Sequence, residues 1–270
     1  MKESRLCILG AGNMGRALIG GLLRAGARPG EISVGESVAA VREALARDLG
    51  VRATADNRAA ISGAAVVVLA VKPPQAAEVL QPLAVALRAA PALLVSVAAG
   101  VRVAALAGWC PGVGVVRAMP NRPALVGAGV TGLYAPPGVV PAQRLLAERV
   151  MRSVGEIVWV PGEDALDTVT ALSGSGPAYF FLLAELLAEA GEQLGLEGAA
   201  ARRLAVHTLY GAGLLTQAGD ADLKRLRAEV TSQGGTTEAA LQVLESADLR
   251  ATVTRALAAA AARSRELGNS

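Results

Sequence analysis

Six residues near the start of the chain, Gly10-Ala11-Gly12-Asn13-Met14-Gly15, have the G-x-G-x-x-G spacing that lets a backbone wrap an anion. In such a turn the first glycine supplies a tight bend, the second leaves room for a pyrophosphate, and the third lets a helix pack on a strand. The anion then rests on the N-terminus of that helix, where unpaired N–H groups point outward. The flanks agree: Leu6–Leu9 reads as a strand, and Leu18, Ile19, Leu22 and Leu23 recur at helical spacing. A dinucleotide is the ligand these residues predict, cradled by Leu9 and by Gly10 through Gly15. Glu36, just past the second strand-like run, stands where an acidic side chain accepts bonds from the adenosine ribose hydroxyls and repels a 2′-phosphate. It reads equally as a solvated glutamate favoured by a helix dipole.

Ala70-Val71-Lys72-Pro73 and Val97-Ala98-Ala99 close two further strand-like runs, at the carboxyl edge where open α/β sheets bind ligands. Their small side chains leave room for a nicotinamide and its ribose. Lys72 either faces that ligand or is a surface lysine, and Asn57 completes the expected cofactor set.

Val230-Thr231-Ser232-Gln233-Gly234-Gly235-Thr236-Thr237 offers a second anion site. Gly234-Gly235 free the backbone, and Thr236-Thr237 open a helical pattern through Ala239, Leu241 and Leu244, so exposed N–H groups can face an anion. Ser232 and Thr237 add hydroxyls. The same residues would also make a helix-capping turn with no ligand, because threonine caps well. Other chemistry is poorly supplied. His207 is the single histidine and sits in a helical pattern, as a structural residue would, and no Ser-His-Asp or Cys-His arrangement is visible. Cys7 and Cys110 lie far apart with no C-x-x-C, so neither a metal nor a disulfide is expected, and a reducing compartment is.

The elements that must position these residues follow from periodicity. Short β-branched runs at Leu6–Leu9, Ile32–Val34, Val51–Ala53, Val66–Val71, Leu93–Val97, Val113–Ala118, Val130–Leu133 and Glu156–Val160 alternate with alanine-rich helical stretches, the signature of a parallel sheet with crossover helices. The first five are nearly continuous apolar runs, which predicts strands buried on both faces. After Pro161-Gly162 only helical patterns remain, from about Glu163 to Leu267. The expected fold is an α/β Rossmann-like domain with a mostly parallel doubly wound sheet, residues 1–161, followed by an all-α substrate-binding and dimerisation domain, residues 162–270. The stretch Pro177–Leu194 is apolar nearly all round, including Phe180, Phe181, Leu186 and Leu187, so it needs cover, either from a partner subunit or as the central helix of a monomeric bundle.

With 270 residues, 53% hydrophobic and 18% charged, the chain can bury a large core. The net charge of +3 comes mostly from scattered arginines without a block of like charge, so a nucleic-acid partner is not expected. No signal-peptide pattern opens the chain, and Glu185 and Glu189 interrupt the most apolar run, so no membrane span and a cytoplasmic location are expected.

The motifs at 10–15 and 70–73, Met119-Pro120-Asn121, Ser173-Gly174-Ser175-Gly176-Pro177-Ala178-Tyr179 and the 230–237 loop together resemble the pyrroline-5-carboxylate reductase family nearly end to end. The resemblance implies hydride transfer from NADPH or NADH to the imine of 1-pyrroline-5-carboxylate, giving L-proline, within a homodimer or an assembly of dimers. It implies that Ser232, Gly235, Thr236 and Thr237 hold the substrate, with the catalytic Thr237 hydroxyl near the ring nitrogen. Asp220 falls where the family usually has an acidic residue near the substrate, or else caps the following helix. The chain departs from the family pattern at Gln233, usually proline, and at Arg122, usually threonine. Losing the proline removes a φ constraint from the loop. A β-hydroxyacid dehydrogenase shares the architecture but would use a lysine in the second domain, where only Lys224 stands. A non-enzymatic dinucleotide sensor would need a DNA-binding helix pair or basic stripe, and neither is seen.

Overall fold

The computed structural model describes residues 5–89, 92–217 and 222–269. Eight strands form one sheet: β1 (Arg5–Leu9), β2 (Ile32–Gly35), β3 (Arg52–Thr54), β4 (Ala64–Leu69), β5 (Leu93–Ser96), β6 (Gly114–Met119), β7 (Gly129–Tyr134) and β8 (Gly155–Trp159). Each overlaps a run read from the sequence. The order is β3-β2-β1-β4-β5-β6-β7-β8, parallel through the first six strands. β7 then runs antiparallel to β6, and β8 parallel to β7. Strand order reverses between β1 and β4, the switch point at which such sheets open a crevice.

The helices α1 (Asn13–Arg24), α2 (Ala39–Leu49), α3 (Asn57–Ile61), α4 (Ala76–Leu80), α5 (Ala84–Ala89), α6 (Val103–Trp109) and α7 (Pro141–Arg152) cover the two faces. Strand periodicity divides the core between them. Leu6 and Ile8 of β1 face one cluster, with Leu18 and Ile19 of α1 and Val150 and Met151 of α7. Cys7 and Leu9 face the other, with Leu80 of α4, Leu87 of α5 and Leu106 of α6. One expectation is corrected: β3 is not buried on both faces. It is the edge strand, with Arg52 exposed and Ala53 and Thr54 half-buried, because nothing pairs beyond it.

Beyond β8 no strand occurs among the described residues. α8 (Ala165–Val169) passes through a π-helical turn at Thr170–Gly174 into α9 (Gly176–Gln193), followed by α10 (Gly198–Leu215), α11 (Leu223–Glu229), α12 (Thr236–Ser246) and α13 (Leu249–Asn269). By contacts the chain falls into two units, Met1–Gly174 with Ala260–Ser270, and Ser175–Ala259.

Within the first unit, Glu163 accepts from the buried Arg117 guanidinium at 2.8 Å and from the Val103 N–H at 2.7 Å. Asn121 donates to the Ser173 carbonyl at 3.1 Å and accepts from the Val130 N–H at 2.9 Å. The Met-Pro-Asn and Ser-Gly-Ser-Gly motifs are thereby tied together. In the second unit α9 packs along α10. Phe180, Phe181, Leu183 and Leu187 of α9 remain more than half exposed within the single chain. The helical run Ala165–Gln193 is long and apolar enough to cross a membrane by length and composition alone, a test that core helices also pass.

Candidate active site

The first candidate site lies at the carboxyl edge of β1 and β4. Gly10 leaves β1 at φ +93°, a left-handed conformation that a side chain would strain, and its N–H reaches the Gly35 carbonyl of β2 at 2.8 Å. Gly15 sits in the first turn of α1, where a Cβ would overlap the Gly10 carbonyl, so the helix closes tightly onto the turn. Gly12, by contrast, caps α1 and faces open space, with no atom within 4 Å of where its Cβ would stand. The turn is thus open at Gly12, beside the N-terminus of a 12-residue helix that no side chain caps.

A cavity of about 340 Å³ opens over this turn. Its walls include nine of the residues expected from the sequence: Leu9, Gly10, Ala11, Gly12, Glu36, Asn57, Ala70, Val71 and Lys72. Asn13, Met14 and Gly15 form the first turn of α1 and do not line this cavity, and Pro73 begins the next short helical turn. Val97, Ala98 and Ala99 follow β5, one strand further along the edge, outside this cavity.

The Glu36 carboxylate bridges two loops. One oxygen accepts the Ala11 N–H at 2.9 Å and the other the Val38 N–H at 2.9 Å. It therefore fixes the glycine turn to the end of β2 while lining the cleft. The wall also contains Ser37, Val38 and Gln75, which sequence reading missed. Arg42 of α2 was missed too: its guanidinium donates to the carbonyls of Glu36 and Ser37 at 2.9 and 2.7 Å. Adjacency to Glu36 was the available signal for Ser37, but nothing in the sequence marked Arg42 off from other surface arginines.

The second candidate site is the threonine loop. Gly234 has φ +69°, and its N–H donates to the Glu238 carboxylate at 2.7 Å. The Gly235 N–H donates to the Ser232 carbonyl at 3.0 Å, which curls the loop back on itself. Thr236 and Thr237 are the first two residues of α12, and its N-cap is Gly235, with no side-chain cap. The capping alternative read from the sequence relied on a threonine N-cap, yet both threonines lie inside the helix. Ser232 and Thr236 are exposed and Thr237 is half-buried. Such an end favours a negative group. Asp220 lies outside the described residues.

Acid–base groups are sparse. His207 lies on α10. No cluster of three metal-ligating side chains occurs among the described residues. Both cysteines are free and buried, and burial pushes the Cys7 thiol up to about 12. What the first site can hold is a dinucleotide, and what the second can hold is a small anion.

Comparison with known proteins gives the chain's relatives. The family described as pyrroline-5-carboxylate reductase dimerisation matches residues 163–267, and the one described as NADP oxidoreductase, coenzyme F420-dependent, matches residues 5–100. The pyrroline-5-carboxylate reductase of Pseudomonas aeruginosa is 42% identical over 99% of this chain and 98% of its own length. The solved structure of a pyrroline-5-carboxylate reductase from Coxiella burnetii superposes with a TM-score of 0.96 at 42% identity, covering 98% of this chain and 99% of its own. That of Plasmodium falciparum pyrroline carboxylate reductase with NADP bound has a TM-score of 0.84 at 27% identity, covering 99% of each chain.

Proposed function

The chain belongs to the pyrroline-5-carboxylate reductase family, and from that membership we infer that it reduces the imine of 1-pyrroline-5-carboxylate to L-proline with NADPH or NADH. The observation that carries this reading is the 42% identity with such a reductase across 99% of the chain. The match to the F420-dependent oxidoreductases covers only residues 5–100, so it speaks to the nucleotide and not to the substrate.

The residues present fit a dinucleotide: an open space at Gly12, a helix N-terminus beside it, and a carboxylate at the ribose end. When bound, the nicotinamide supplies the hydride. The chain's own work is placement. Gly10 to Gly12 and the N-terminus of α1 seat the pyrophosphate, and Glu36 and Asn57 line the adenosine end. Val97 to Ala99 leave room for the ring. In the threonine loop the N–H groups that open α12 hold the substrate carboxylate, together with Ser232 and Thr236. The Thr237 hydroxyl, near the ring nitrogen, aligns the imine. A protonated imine is already electrophilic, so once hydride reaches its carbon the nitrogen keeps its proton and the amine is complete. No strong acid is required, which suits a site with no histidine.

Functionally, residues 1–161 carry the nucleotide and residues 162–270 the substrate and the subunit contact. The dimerisation family that matches 163–267 supports self-association through α9. Two free cysteines suit the reducing cytoplasm, where we place the enzyme. The test is oxidation of NADH and of NADPH with and without pyrroline-5-carboxylate. Imine-dependent oxidation with proline as product is expected, and none with either cofactor would overturn the reading.

A further inference from the structure

The C-terminal residues of α13 return to the first unit, directly behind the turn that follows β5. That turn, Ala98 to Val101, is closed by the Val101 N–H donating to the Ala98 carbonyl at 3.4 Å, with Gly100 at φ +76°. Two backbones meet there. A Cβ on Gly100 would stand 3.3 Å from the Leu267 carbonyl oxygen, and one on Gly268 would stand 3.2 Å from the Gly100 carbonyl oxygen. Glycine on both sides allows contact with no side chain between.

Polar groups lock this contact on its flank. Ser264 donates to Asp167 at 2.7 Å, and both residues are buried. The other Asp167 oxygen lies 3.7 Å from the Arg102 guanidinium, which also donates to Asp164 at 2.7 Å. Arg102 is two positions from Gly100. A ring of contacts therefore runs from the turn through Arg102, Asp167 and Ser264 to Gly268 and back to Gly100.

We propose that residues 264–268 brace the Ala98–Val101 turn and so act as positioning residues for the nicotinamide end of the cofactor. The inference rests on the reading that Val97 to Ala99 flank the nicotinamide. Ser264 and Gly268 touch neither cofactor nor substrate in this account; they act through the turn. A loosened turn leaves the glycine-loop end of the site unchanged, so the brace affects only ligands that carry a nicotinamide.

The experiment measures the affinities of NADH and of ADP-ribose, and of NADPH and 2′-phospho-ADP-ribose, for the full-length enzyme and for Ser264→Ala, Ser264→Thr and Gly268→Val. Loss of the Ser264 hydrogen bond should weaken NADH and NADPH roughly fivefold while leaving the truncated ligands within about twofold. Threonine keeps the hydroxyl and should restore affinity. With nicotinamide deuterated at the transferred position, the isotope effect on kcat should rise in Ser264→Ala and Gly268→Val, because hydride transfer becomes slower relative to product release. Equal weakening of both ligand classes, or unchanged affinity and isotope effect in folded variants, would overturn the brace. Wild-type enzyme that bound NADH no better than ADP-ribose would instead remove the nicotinamide from this edge, and with it the reading on which the brace rests.

Discussion

The carboxylate of Glu36 accepts the backbone N–H of Ala11 at 2.9 Å, joining the end of β2 to the middle of the glycine turn. The side chain therefore holds the turn in shape as well as lining the cleft. NADH is expected to serve at least as well as NADPH, because the carboxylate repels a 2′-phosphate a few ångströms away. Glu36→Gln should weaken NADH and move the ratio of the two specificity constants towards NADPH by roughly tenfold, about 1.4 kcal/mol. A wild-type enzyme far better with NADPH would show that Arg42 and Ser37 outweigh the carboxylate.

Thr237→Ala should lower kcat/KM for pyrroline-5-carboxylate roughly ten- to hundredfold, since it removes a hydrogen bond to a charged ligand of about 1.5–3 kcal/mol. Thr237→Ser keeps the oxygen and should stay near wild type. Because Gly235 is the N-cap of α12, neither change should lower the melting temperature as loss of a cap would. Kinetics and melting on the same variants check this.

Glu163→Ala should destabilise the fold by roughly 3–5 kcal/mol, because it leaves Arg117 buried without its partner and frees the Val103 N–H. Denaturant unfolding of the first unit's tryptophan signal reads this directly, Trp109 and Trp159 both lying there. A loss under 1 kcal/mol would mean that water satisfies Arg117.

In sedimentation the wild-type protein should run as a dimer or larger, and Phe181→Glu should dissociate it. Covering several Leu and Phe side chains of α9 contributes about 1.5–3 kcal/mol each, enough to hold an interface. A wild-type monomer at micromolar concentration would contradict the role given to that helix.

Burial raises the Cys7 thiol from 9.0 to about 12, and Cys110 is raised by the same cause. A thiol reagent near pH 8 should leave the native protein unmodified and label both cysteines once it is unfolded. Between 9.0 and about 12 the native chain keeps a Cys7 proton that the unfolded chain releases. Stability present below that window should therefore fall as pH rises through it, as melting curves taken from pH 8 to pH 11 would record.

The central strands were legible because a strand buried between two layers of helices must be a short apolar run. Val66–Leu69 and Leu93–Val95 could hardly be anything else. β3 misled for the opposite reason: Val51 is buried in the core, but the strand that follows it pairs only with β2 among the described residues and leaves Arg52 exposed. The glycine turn was legible because its chemistry is local. Glu36 was found by position, but its bond to Ala11 depends on a tertiary approach that no spacing encodes. The same holds for Asn121, whose two bonds link β7 to the π-helical turn, and for that turn itself, since five residues are too few to set an apolar period of their own.

The return of Ala260–Ser270 to the first unit has a consequence for synthesis of the chain. A ribosome delivers β1 to β8 early, and the sheet can assemble while translation continues. Asp167 nevertheless waits for Ser264, 97 residues further along the chain, and Gly100 waits for Gly268. The first unit is thus expected to reach its finished form only once α13 has been made, later than the position of its eight strands in the chain would suggest.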